Sequence, residues 1–124
     1  MEWTTEVGCA YTATFTIGAV GATMTCTIQL KDFAGNALTV KNAVLMYATT
    51  DAAGNTIETL GAEAVVATHG ICNVITATSC YLLVTENTGI VALTIDGDGA
   101  TDTYINIVLP NGKVVTSSVM AFDA

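Results

Sequence analysis

The sequence predicts an all-β fold, an antiparallel sandwich of about seven to nine short strands. Three observations predict it. Apolar and polar residues alternate with the two-residue period of a half-buried strand in several runs. One turn signal, Asp-x-x-Gly-Asn, stands at residues 32–36 and again at residues 51–55. Turn residues return about every ten positions, and no long stretch carries a helical period.

The first strand is read from Tyr11, Ala13, Phe15 and Ile17, which alternate with Thr12, Thr14 and Thr16. Gly18-Ala19-Val20-Gly21 is a flexible turn. Met24, Cys26, Ile28 and Leu30 alternate with Thr23, Thr25, Thr27 and Gln29 in the second strand, which the Asp32 turn ends. A third apolar segment covers residues 38–48, broken at Lys41-Asn42, and the Asp51 turn follows. Residues 56–79 carry the weakest pattern: 63–67 fit either a short strand or one helical turn, while 71–75 read as a strand. Strands at 80–85 and 90–95 flank Glu86-Asn87-Thr88-Gly89, and Asp96-Gly97-Asp98-Gly99 makes another turn. Residues 103–109 and 114–122 form a hairpin around Pro110-Asn111-Gly112-Lys113. Asn-Gly is a strong hairpin signal because both residues tolerate positive φ, and Pro110 suits a turn but not a central strand. No linker or compositional break divides the chain. One domain over residues 1–124 is expected, with residues 1–7 as a candidate N-terminal arm.

At 124 residues the chain is long enough to bury a core without metals or disulfides. Charged residues make up only 11%, against about 25% in a typical soluble protein. Thr, Ala, Val and Gly fill the gap, and Thr and Val favour sheet. Disordered chains have the opposite bias. So few charges leave sheet edges without their usual protection, which points to faces covered in an assembly; a surface kept in solution by Thr, Asn and Gly alone is the alternative. The net charge is −8, from 11 acids against three lysines and no arginine. Nucleic-acid binding rests on Lys and Arg at phosphates, and attraction to an anionic membrane rests on the same residues, so neither partner is expected. Met1-Glu2-Trp3-Thr4-Thr5-Glu6 lacks the layout of a signal peptide. The longest apolar runs, such as Tyr81-Leu82-Leu83-Val84, are too short to span a bilayer. The cytosol is the expected setting.

Cys9, Cys26, Cys72 and Cys80 include no Cys-x-x-Cys pair, so neither a zinc ribbon nor a thioredoxin-type motif is supported. Cys26 lies on the apolar side of its strand and reads as a small buried hydrophobe. Cys72 and Cys80 are a candidate disulfide; free thiols are the alternative in a reducing compartment. His69, three residues before Cys72, lacks the second close pair that a metal site needs. Asp96, Asp98 and Asp102 have the carboxylate density that calcium takes, although Ile107 occupies the bidentate Glu position of an EF-hand. A solvated turn is the plainer alternative. No other metal and no cofactor is expected.

Nucleophilic catalysis needs a base beside the nucleophile. His69 is the single histidine, and no Gly-x-Ser-x-Gly elbow frames Ser79, Ser117 or Ser118. No phosphate loop is present, so no enzymatic activity is expected. Trp3 is a candidate partner anchor, because Trp is enriched at binding hot spots; a cap folded back on the core is the alternative.

Asp32-Phe33-Ala34-Gly35-Asn36-Ala37-Leu38, followed by Val44-Leu45-Met46-Tyr47, resembles bacterial immunoglobulin-like modules, in which this turn joins two strands of the sandwich. Residues 85–93 resemble the later Asp-x-x-Gly turn of those modules, and Asp102-Thr103-Tyr104 the start of the strand that carries their corner tyrosine. The antibody-type Cys…Trp…Cys pattern is absent, since Trp3 is the single tryptophan. The resemblance makes the expected sandwich immunoglobulin-like.

Over nearly the whole chain, residues 11–18 (Tyr-Thr-Ala-Thr-Phe-Thr-Ile-Gly), 28–32 (Ile-Gln-Leu-Lys-Asp), 83–86 (Leu-Val-Thr-Glu) and 109–113 (Leu-Pro-Asn-Gly-Lys) resemble, in this order, a group of small virion proteins of tailed bacteriophages. That resemblance implies a structural role as a capsid decoration (cement) protein. Its partners would be the major capsid protein and copies of itself, in a dimer or trimer, on a virion assembled in the host cytoplasm. It implies no catalytic residue. A head or tail fibre or adhesion module, reaching with residues 96–102 for a host receptor or glycan, is the alternative.

Overall fold

The computed structural model describes residues 10–55, 65–76, 79–96 and 102–122. Among them are ten strands and no helix: β1 (Thr12–Ile17), β2 (Thr23–Lys31), β3 (Ala43–Thr49), β4 (Val65–His69), β5 (Ile71–Thr76), β6 (Cys80–Val84), β7 (Ile90–Asp96), β8 (Asp102–Val108), β9 (Val114–Thr116) and β10 (Met120–Ala121). One sheet runs β1-β2-β7-β4. The other runs β10-β8-β3-β6-β5, with β9 beside β8. Every pairing between named strands is antiparallel. The expected all-β antiparallel sandwich is therefore the fold.

The two-residue period decides which face each strand buries. Met24, Cys26, Ile28 and Leu30 of β2 and Val91, Leu93 and Ile95 of β7 are buried. They belong to one core with Val44, Met46 and Ala48 of β3, Tyr81 and Leu83 of β6, and Ile105 and Ile107 of β8. The threonines between them on β2 point outward, where a β-branched residue suits the pleat without adding exposed apolar surface.

The recurrent turn signal is one backbone geometry used four times. Gly35 N–H donates to the Asp32 carbonyl, Gly54 to Asp51, Gly89 to Glu86 and Gly112 to Leu109, at 2.8–3.2 Å. All four glycines have positive φ, from 74° to 86°. Each is a four-residue turn whose last residue is left-handed; between β8 and β9, which pair with each other, it makes the three-residue hairpin connection that closes with a bulge. Asp at the first position adds side-chain bonds: the Asp32 carboxylate accepts from Ala34 N–H (3.0 Å) and Asn36 N–H (2.9 Å). Asp51 likewise accepts from Asn55 N–H. The Asn111-Gly112 hairpin thus has a three-residue loop, with Pro110 in the second turn position where its fixed φ belongs.

Strand boundaries differ from expectation at three places. Residues 65–67 take the strand alternative, but the strand runs on to His69 and β4 continues through Gly70 into β5. β4 pairs with β7 in one sheet and β5 with β6 in the other, so the chain changes layer at Gly70. Residues 39–42 lie outside β3, and Leu38 is held by its N–H bond to the Leu30 carbonyl (3.2 Å). The stretch 114–122 is broken into β9 and β10 at Ser117. There the Ser117 hydroxyl accepts from Ile105 N–H (3.0 Å) and donates to the Ser118 carbonyl (2.7 Å). One side chain thereby replaces a ladder acceptor. This division brings the strand number to ten, one above the expected range.

Candidate docking face

Strand directions collect the loops at residues 32–42, 85–89 and 109–113 at one end of the sandwich. Leu30 N–H donates to the Gly89 carbonyl (2.8 Å), and Thr85 N–H to the Asn42 carbonyl (2.8 Å). The Gln29 amide donates to the Thr88 carbonyl (3.0 Å). These bonds tie the loop at residues 85–89 to the end of β2 and to the loop at residues 32–42.

Lys31, Lys41 and Lys113, the complete set of basic side chains apart from His69, stand at this end. Tyr11 joins them, because its N–H donates to the Lys31 carbonyl (2.9 Å). Phe33, at the tip of the Asp32 turn, is 73% exposed, and Tyr11 is 42% exposed. Their rings meet edge to face with centroids 5.3 Å apart. The Lys113 ammonium lies 5.2 Å from the Tyr11 ring centroid, in cation–π range. Three separate segments thus build one aromatic and cationic face. Of the acids described at this end, Asp32 is turned into its own loop, and Glu86 lies 3.5 Å from His69 Nδ1. Beside that pair an open groove of about 420 Å³ is lined by Lys41, Gly70, Ile71, Thr85, Glu86 and Asn87.

The opposite end is acidic. β7 ends at Asp96 and β8 begins at Asp102, with the Asp51 turn close to the end of β3. Asp96 and Asp102 belong to different sheets, and Asp98 lies outside the described residues. Among the described residues no group of three or more His, Cys, Asp or Glu side chains is placed to hold a metal ion.

The candidate disulfide is not formed: Cys72 and Cys80 are both free. β5 and β6 form an antiparallel hairpin in which Cys72 faces Leu83 and Cys80 faces Thr76. The two thiols therefore stand at different rungs of the ladder, and a disulfide requires its Cα atoms within about 7 Å. Cys26 is fully buried, as expected, and burial pushes its thiol up to about 12. Trp3, the arm at residues 1–7 and Cys9 lie outside the described residues. Ser79 caps the β5–β6 turn through its N–H bond to the Thr76 carbonyl (3.1 Å), and Ser117 serves the β8–β9 break.

Sequence reasoning missed two features. Tyr11 was expected among the inward residues of β1, yet it precedes the strand and faces outward. Asn106, mid-strand on β8, is fully buried on the outer side of its sheet. Its amide donates to Thr49 Oγ1 (2.9 Å) and to the Tyr47 and Tyr104 carbonyls (both 3.3 Å), and its carbonyl accepts from Thr116 Oγ1 (2.7 Å). The Tyr47 hydroxyl donates to the Gly54 carbonyl (3.0 Å), which folds the Asp51 turn down over Asn106. Among the described residues the hydroxyl-to-backbone tie near this corner is made by Tyr47. For Phe33 the signal was present, since an aromatic in a turn has no core to enter.

Comparison of the chain with known protein families, curated proteins and solved structures finds no match.

Proposed function

We propose that this chain is a structural virion protein that decorates and reinforces a capsid, docking on the major capsid protein through its lysine-bearing end. The observation that carries the reading is the exposed face made by Phe33, Tyr11 and Lys113. Aromatic residues are enriched at the cores of protein interfaces, and a few of them carry most of the binding energy. A Phe left in water at a loop tip forgoes about 2 kcal/mol of burial; a partner surface recovers it. The turn hydrogen bonds hold the face ready, so little ordering is lost on docking. The phage resemblance supplies the kind of partner.

The test adds purified protein to shells that lack it. Saturation near one copy per capsomer site supports the reading. Phe33→Ala and Lys113→Glu should each weaken shell binding at least about tenfold, the loss expected of a hot-spot side chain, with unchanged melting temperature. The exposed Tyr11–Phe33 pair also favours a second reading, a fibre or adhesion module that stacks on a host glycan. Binding to host cells but not to shells selects it.

A further inference from the structure

We propose that β5 is a self-pairing edge, through which two copies of this chain join their larger sheets across a two-fold axis. This contact runs along a sheet edge that starts beside the lysine-bearing end and leads away from it, and it does not depend on the shell reading.

Among the described residues β5 closes the sheet order, with β6 on one side and no strand on the other. An edge strand presents unpaired N–H and C=O groups, which only another extended strand satisfies in a row. Proteins usually protect such an edge with Lys, Pro or inward charges. β5 reads Ile-Cys-Asn-Val-Ile-Thr and carries none of them. Its apolar side chains are exposed instead: Ile71 by 52%, Val74 by 60% and Ile75 by 56%. The one protective device is a bulge between Val74 and Thr76, near the end of the strand.

Two features select a second copy as the occupant. The first is charge. Two molecules of net charge −8 repel over most of their surfaces, and β5 offers a fully neutral strand. The second is register. A two-fold axis perpendicular to an antiparallel pair makes one residue face its own copy. With Asn73 on the axis, Ile71 faces Ile75 of the second copy and Cys72 faces Val74. Each apolar side chain then meets an apolar partner, and the Asn73 amides meet each other. The charged groups near the start of β5, His69, Glu86 and Lys41, fall towards the end of the second copy's β5, where Thr76 is uncharged. No like charges are brought together. The contact is isologous and closes as a dimer.

The register gives the experiment. Sedimentation and light scattering of the full chain should report twice the 12.7 kDa monomer mass. Ile71→Lys with Ile75→Lys sets lysine against lysine and should yield monomer. Ile71→Lys with Ile75→Glu sets lysine against glutamate and should restore the dimer. Both variants change exposed positions, so melting temperatures should stay close to that of the parent and confirm folding. A parent protein that remains monomeric overturns the proposal, as does an equal effect of the two double variants.

Discussion

Cys26 shows what the core does to one ionisable group. It is enclosed between β1 and β7, and burial raises its thiol from 9.0 to about 12. The raised value fixes the sign of its linkage to stability. Below pH 9 the thiol is protonated in both folded and unfolded chains, and its contribution is complete. As pH rises further the unfolded chain releases the proton and the folded chain does not, so stability falls until the folded thiol also titrates. Over these three units the loss reaches about 4 kcal/mol. Urea midpoints recorded from neutral pH towards pH 11 should therefore decline in the parent. They should decline less in Cys26→Ala, which begins from lower stability because it leaves a small cavity. Parallel slopes for the two proteins would show that another group governs the alkaline transition.

Among the elements, the β4–β5 stretch depends most on a single position. Gly70 has φ +82°, and a Cβ added there would lie 2.7 Å from the Val84 carbonyl oxygen and 3.1 Å from Val91 Cγ2. The left-handed conformation alone costs a non-glycine residue about 1–2 kcal/mol, and the clash with backbone adds to it. Gly35 has φ +86° but nothing within 4 Å of an added Cβ. Gly70→Ala should lose about 3 kcal/mol and Gly35→Ala about 1 kcal/mol, read from chemical unfolding. Similar losses would mean that the crossover can shift to accept a methyl group. The sequence displayed these elements unequally. β2 and β7 were legible because each buries one face, so their alternation is uninterrupted. β5 was legible as a strand, but its exposure was not: Ile71, Val74 and Ile75 look like core residues until the sheet order puts them at an edge. The Ser117 break was hidden because a hydroxyl can take the place of a ladder acceptor without changing the composition. The lysine-bearing end was illegible for a different reason. Lys31, Lys41 and Lys113 are far apart in the chain, and only the antiparallel directions bring them together.

At the scale of the whole molecule the two proposed surfaces differ in charge, and the difference separates them experimentally. The described groups at one end comprise Lys31, Lys41 and Lys113 against Asp32 and Glu86, while Asp51, Asp96 and Asp102 mark the other. A chain of net charge −8 with its lysines at one end approaches an acidic partner patch in one orientation. The Debye length shrinks from about 10 Å at 0.1 M salt to about 3 Å at 1 M. Shell docking through the lysine-bearing end loses attraction over that change and should weaken. Pairing through β5 has no attraction between charges to lose. Its neutral strands approach against the repulsion of two acidic molecules, which salt screens, and burial of Ile71, Val74 and Ile75 is not weakened by sodium chloride. The dimer should therefore hold or tighten as salt rises while shell occupancy falls. Measuring both on one preparation, by light scattering for the dimer and by co-sedimentation for the shell, tests the assignment of each contact to its surface. A dimer that dissociates in parallel with shell release would place both contacts on the charged end and remove β5 from the assembly.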